Sequence, residues 1–270
     1  MDKASILGII LGIFAIVLGM ALKGVGMIAL LNPAAILIIL LGTVATILIS
    51  FPMRTIKKIP HLIKIVFTEE PQYDMNKIID TFATLANQIR KEGLLSLEKE
   101  IENHDDPFLK SGLQLILDGK SPEFIREFLI EKINAMEKRH REGAAIFSQA
   151  GTYAPTLGVL GAVVGLIAAL KNMEDMSVLG EAISAAFVAT LLGIFTGYVL
   201  WHPFANKLKE KSEREIQIKE IMVEGILSIT DGHSPRIVRE KLSTYLSEKE
   251  LLASREAFDE AEKQEPELSS

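Results

Sequence analysis

An all-α membrane protein with four transmembrane helices and a cytoplasmic helical domain is what this sequence predicts, and three observations predict it. Ile6–Leu22, Pro33–Phe51, Ala150–Leu170 and Ala182–Leu200 are apolar runs of about 17–21 residues without one Asp, Glu, Lys, Arg or His, each long enough to cross a bilayer. The block of roughly a hundred residues between the second and third runs carries apolar residues at three-and-four spacing and no strand-like alternation. Basic residues collect at one end of three spans: Arg54, Lys57, Lys58 and Lys64 after the second, Lys132, Lys138, Arg139 and Arg141 before the third, Lys207, Lys209, Lys211 and Arg214 after the fourth.

Taken in order, Asp2–Lys3 and span one resemble the head of a secretory signal, but no small-x-small cleavage pattern follows, so span one reads as an uncleaved anchor. The connections Lys23–Asn32 and Lys171–Glu181 carry one Lys each, and the second adds Glu174, Asp175 and Glu181. By the positive-inside rule these connections lie outside, the basic segments lie in the cytoplasm, and both termini are cytoplasmic.

Asp74 caps a helix with the stripe Ile78, Ile79, Phe82, Leu85, Ala86 and Ile89; Gly93 either interrupts it or is tolerated, and Leu94, Leu95, Leu97 and Ile101 resume the pattern. A helix at Phe108–Leu117 stops at Asp118-Gly119, and Ser121-Pro122-Glu123 opens another with no clear break before span three. Lys211–Ile229 extends span four inward in the same way. Asp118-Gly119-Lys120-Ser121-Pro122 recurs as Asp231-Gly232-His233-Ser234-Pro235, read as one stop-and-cap solution used twice or as an old duplication. The implied organisation is a transmembrane hairpin at 1–52, a cytoplasmic helical domain at 53–149, a second hairpin at 150–202, a cytoplasmic helical extension at 203–250 and an acidic, disordered tail at 251–270.

Small residues recur every four positions in span three as Ala150, Ala154, Gly158 and Ala162, on another face as Gly161, Gly165 and Ala169, and in span four as Ala185, Ala189, Gly193 and Gly197. Such stripes let helix backbones approach inside lipid, so spans three and four are expected to pack on protein and the Ile- and Leu-rich spans one and two to face lipid. The intramembrane hydroxyls, Thr156 and Thr190 among them, are expected to bond carbonyls one turn back, or to line a hydrated path. Pro155 and Pro203 each withhold an amide from their helix.

Several classes of function are excluded or disfavoured. The chain has no cysteine, which removes disulfides, thiolate catalysis and Cys-ligated zinc. Its five histidines are scattered, with no metal-binding or paired-acid motif, so no enzyme, metal or cofactor is expected. The basic clusters flank spans, where topology and membrane lipid account for them, so nucleic acid is not expected. A carrier or channel working alone would place an ionisable group within its spans; if ions move here, a partner brings that group.

The runs Tyr153–Gly161 (YAPTLGVLG) and Gly193–Ala205 (GIFTGYVLWHPFA), with Arg90–Glu98 (RKEGLLSLE), closely resemble the bacterial flagellar motor stator A subunit, the MotA/PomA family, and the similarity extends to about Leu246. The resemblance implies five A chains around two B chains. Each B chain is a one-span protein with a membrane Asp and a peptidoglycan-binding domain, and the ring drives the rotor's switch-complex protein. It makes Arg90 and Glu98 rotor-facing charges, and Pro155 and Pro203 the prolines coupling ion binding to movement. It puts Thr190 near the ion path, with Thr156, Ala162 and Tyr198 along the same path. Sodium-using relatives tend to have Thr where this chain has Ala162, so protons are the expected ion, with a sodium-driven stator as the alternative. The TolQ/ExbB energisers are the nearest rival; they resemble three-span proteins, and the extra span and the Arg90–Glu98 motif argue against them.

Overall fold

A computed structural model describes residues 2–69, 74–170, 175–246 and 251, and all regular structure among them is helical. The acidic tail after Leu251 lies outside the described residues. α1 (Lys3–Leu22) begins where the Asp2 carboxylate accepts the N–H groups of Ala4 and Ser5 at 3.0 and 3.2 Å, so Asp2 and Lys3 open the first span. After a 3₁₀ turn at Met27–Leu30, α2 (Pro33–Ser50) starts on an Asn32 cap with Pro33 in its first turn. α3 (Met53–Ile56) and α4 (Ile59–Phe67) follow.

α5 (Met75–Glu92) is capped by Asp74 and ends at Gly93, whose φ of +82° suits only glycine. Gly93 therefore breaks the helix, and a 3₁₀ turn at Leu94–Ser96 leads into α6 (Leu97–Asn103). α7 (Pro107–Leu117) precedes α8 (Pro122–Ala169), a single helix of 48 residues that continues without a break from the polar segment into the third apolar run.

α9 (Met176–Phe195) starts earlier than the fourth apolar run, because Asp175 accepts the N–H groups of Ser177 and Val178 at 2.9 and 3.4 Å. Glu181, assigned by sequence to the connection, thus stands exposed in the second turn of this helix. A π-helical turn at Thr196–Trp201 joins α9 to α10 (His202–Thr230), and α11 (Pro235–Ser243) closes the order.

The duplicated Asp-Gly-x-Ser-Pro stretch performs the same local task at both places. Gly119 and Gly232 take φ of +66° and +69°. The next residue's N–H then reaches back to a carbonyl five residues earlier, Lys120 to Leu115 at 3.1 Å and His233 to Ser228 at 3.0 Å. This ends one helix, and Ser121 or Ser234 caps the next at 3.3 or 3.4 Å.

Residues 1–70 and 138–212 form one compact unit and residues 71–137 and 213–270 a second. The first holds the apolar runs of the four helices long and apolar enough to cross a membrane. α1 buries no residue and leaves Leu7, Ile10 and Phe14 more than half exposed, a surface suited to lipid rather than water. α2 departs from the lipid-facing role expected of it: Ala35, Ile39, Thr43 and Ile47 are buried along one stripe, and a Cβ on Gly42 would lie 3.1 Å from the Leu157 side chain. Its small residues at that spacing admit α8, a signal hidden among the isoleucines and leucines.

Below the spans, Val66, Phe147, Ala205 and Leu208 bury together, with Trp201 and Phe204 against Phe147 and Phe67 edge-on to Phe204. Lys207 pairs with Asp2 at 2.5 Å, and the Lys211 ammonium donates to the carbonyls of Ile65 and Thr68 at 2.8 and 2.6 Å. It thereby adds a donor to the Ile65 carbonyl, which also accepts the Thr68 N–H at 3.2 Å, and serves the Thr68 carbonyl at the end of α4.

In the second unit the stripe of α5 packs with α7, α11 and the parts of α8 and α10 that belong there. Ile79, Phe82, Leu113, Ile125, Leu129, Ile221, Ile226, Val238 and Leu242 are all nearly inaccessible. Each such side chain contributes about 1.5–3 kcal/mol when fully buried. That core fixes what α5 and α6 present at their shared end.

Candidate functional site

The membrane part of the site is built on glycine. A Cβ added to Gly158 would lie 2.9 Å from Ala189 O and from Gly193 Cα, and one added to Gly193 would lie 2.8 Å from Ala154 O and Gly158 Cα. At Gly197 it would meet Gly151 O and the Pro155 ring at 2.7 Å. α8 and α9 therefore touch backbone to backbone along Ala154, Gly158, Ala189 and Gly193, a separation no larger residue allows. Gly161 faces the Ala189 methyl at 3.6 Å, whereas Gly165 faces open space and Ala185 is half-buried beside the buried Ala186. The seam thus uses part of the small-residue pattern.

Pro155 sits inside α8 and takes the amide that would bond Gly151 O. That carbonyl and the proline ring lie against Gly197, at the first turn of the π-helical segment. Pro203 occupies the second position of α10, directly after this segment, and is exposed. A π turn one turn before a proline is a helix whose hydrogen-bond ladder has been re-registered twice in succession, and such turns are concentrated at functional sites. The His202 ring fills the space beside Gly151, and Tyr198, which is largely exposed, stacks 5.2 Å from His202.

The hydroxyls are engaged locally. Thr156 donates to Thr152 O at 3.3 Å, Thr190 to Ala186 O at 3.2 Å, and Thr196 to Leu192 O at 2.9 Å. Ala162 is half-buried. Outside the seam, Val159, Val163, Phe187, Leu191 and Ile194 leave a broad apolar surface on these two helices.

Arg90 and Glu98 stand on either side of the Gly93 break, Arg90 in the last turn of α5 and Glu98 in the first turn of α6. Both are exposed, and neither has a hydrogen bond or ion pair among the described residues. Leu94 and Leu95 between them are also exposed, at 48% and 73%. The turn beneath is held by buried Leu97, and the Ser96 hydroxyl donates to Gly93 O at 2.7 Å. Two opposite charges thus flank two exposed leucines at the Gly93 break.

The sequence profile of the MotA/TolQ/ExbB proton channel family matches residues 100–221. Motility protein A of Bacillus subtilis (strain 168) is 57% identical over 252 residues, 93% of this chain and 93% of that protein. The chain belongs to the MotA family. Its fold agrees with the flagellar MotAB stator complex of Bacillus subtilis at a TM-score of 0.89, with 57% identity over 93% of this chain and 99% of that one. It agrees with Campylobacter jejuni MotAB (C. jejuni) at 0.86, with 31% identity over 92% and 97%.

The matched region of this MotA-family chain runs from α6 to α10 and includes a charged pair that sequence reading passed over. Lys219, 8% exposed, donates to Asp106 at 2.6 Å and lies 5.2 Å from the Phe108 ring, while Asp106 also caps α7. Burial pushes the Asp106 carboxyl up, but the Lys219 hydrogen bond and the N–H groups of Leu109 and Phe108 outweigh it and hold the group below its ordinary value of 3.8. Asp106-Pro107 carried a visible cap signal, whereas Lys219, 113 residues on, had none.

Because the folded-state value is the lower one, this pair stabilises the second unit fully above pH 3.8, and the contribution disappears as pH falls through the folded-state value. Lys219→Ala should cost about 3 kcal/mol by leaving Asp106 without its cation, read by chemical unfolding of the purified chain. Asp106→Asn should flatten the acid limb of its stability curve. An unchanged midpoint in Lys219→Ala would make the pair a surface contact.

Proposed function

We propose that this chain is a stator subunit of the bacterial flagellar motor that forms a proton channel with a B-type partner and converts proton flow into torque on the rotor. The observation that carries the reading is its agreement, over 93% of its length, with a chain of a flagellar stator complex. The apolar runs contain no Asp, Glu, Lys, Arg or His, so the partner supplies the membrane carboxylate: a one-span chain with a peptidoglycan-binding domain, two copies within a ring of five of this chain. The protein is a multi-pass protein of the inner membrane. Both termini are cytoplasmic, as the basic segments after spans two and four require. The cytoplasmic helical block, 53–149 with 203–250, meets the rotor's switch-complex protein.

Protons suit the site better than sodium. A desolvated sodium ion needs several oxygen ligands, and the Ala162 methyl offers none. A carboxylate and a wet path are enough for a proton.

Arg90 and Glu98 are the rotor-facing charges in this reading. Glu98→Lys should change stability by less than about 0.5 kcal/mol, as exposed substitutions do, and still abolish most swimming. An opposite reversal on the rotor protein should restore part of it. Normal swimming of Glu98→Lys, with normal amounts of complex, would remove the rotor role.

Pro155 and Pro203 form the coupling joint, next to the π turn and Tyr198. Pro203→Ala restores an amide and lets the ladder close. The variant should assemble in normal amounts yet turn the motor at a small fraction of normal torque. Near-normal torque would rule out the joint.

A further inference from the structure

Residues 52–68 contain Arg54, Lys57, Lys58 and Lys64 and no Asp or Glu. All four bases are exposed, as is His61 between them, and none makes an ion pair or hydrogen bond among the described residues. His61 and Lys64 stand one turn apart on α4, and Lys57 and Lys58 occupy the turn between α3 and α4. After span four, Lys207 is paired with Asp2 and Lys211 serves the α4 carbonyls, so two of the bases there are used within the fold.

The segment is fixed at both ends to the membrane boundary. It leaves span two at Phe51 and Pro52, and at its far end Phe67 O accepts the N–H of Asp2, the cap of span one, at 2.9 Å. α3 and α4 thus bridge the same-side ends of two spans and run along the bilayer face. Their apolar side is already covered: a Cβ on Gly143 would lie 3.1 Å from Leu62, Ile59 and Leu62 pack on Ile146 and Ala150, and Val66 is fully buried. The helix therefore does not offer a greasy face for insertion. What it offers the membrane is charge.

We infer that the basic face of α3 and α4 is a docking surface for anionic phospholipid headgroups, engaged by Arg54, Lys57, Lys58 and Lys64. Charge complementarity selects the occupant, since bases immediately beside a span on the cytoplasmic side meet the anionic leaflet at contact distance. The inference needs the membrane reading of the four helices and not the stator reading, so it fails or stands separately from the proposed function.

The full chain, purified in neutral detergent as the complex it forms in its membrane, is titrated with short-chain phosphatidylglycerol and with short-chain phosphatidylcholine, at low and at high salt. Phosphatidylglycerol should bind more tightly, by a margin that shrinks with salt. K57Q/K58Q and R54Q/K64Q should each lose roughly fivefold per base removed. K99Q, at an exposed base of α6 in the second unit, should retain the preference. Equal binding of the two lipids to the unaltered chain at low salt would overturn the inference and leave an acidic protein segment as the occupant. So would a loss in K99Q as large as in K57Q/K58Q.

Discussion

Gly193→Ala should unseat α9 from α8. Helix propensity alone favours alanine over glycine by about 1 kcal/mol, so in an uncrowded helix the substitution would stabilise. Here the new methyl would lie 2.8 Å from Ala154 O and from Gly158 Cα, and both are backbone atoms that cannot swing aside. The two helices must separate along their length, losing the close contact that substitutes in lipid for a hydrophobic drive. Overpacking of this kind costs about 1–3 kcal/mol, and the reversal of sign makes the result diagnostic. Gly158→Ala faces the mirror contact at 2.9 Å and should behave alike, while Gly165→Ala meets nothing within 4 Å and should leave the fold of the single chain intact. The amount and thermal stability of the purified chain check all three. Equal stability of Gly193→Ala and Gly165→Ala would dismiss the seam.

The spans and their partners were legible to different degrees for physical reasons. Length and apolarity fix the existence of a span, so four were visible; the start of α9 depends on one carboxylate, Asp175, reaching two amides, and a hydropathy run does not register it. The Gly158–Gly193 contact was foreshadowed by spacing, because only a repeated small residue leaves room for a backbone. Spacing could not say which of two glycine faces on span three is used, and Gly165 turned out to face open space. For α2 the reading failed because lipid and a buried helix face ask for the same residues, and Ile39 and Ile47 satisfy either. Arg90 and Glu98 were singled out by resemblance alone, since Lys91, Glu92 and Lys99 beside them are equally exposed. Lys219 and the π turn carried no signal, since a long-range ion pair and a ladder re-registered ahead of Pro203 depend on the tertiary arrangement.

The central claim is that this chain builds the walls of a proton path and leaves the titratable group to another chain. A charged group in the middle of a bilayer is costly enough that proteins keep one there for a purpose, and the runs 6–22, 33–51, 150–170 and 182–200 keep none. The Thr156 and Thr190 hydroxyls are tied to Thr152 O and Ala186 O, and Glu181 stands in the second turn of α9, ahead of the apolar run. Without a carboxylate to take up and release protons along the path, relay through the single chain stops. The direct measurement is proton uptake into sodium-free vesicles under an imposed membrane potential, with this chain alone and with its B-type partner. The account predicts background uptake for the chain alone, clear uptake for the pair, and a return to background when the partner's membrane carboxylate is replaced by its amide. Uptake through the lone chain at the rate of the pair would contradict it.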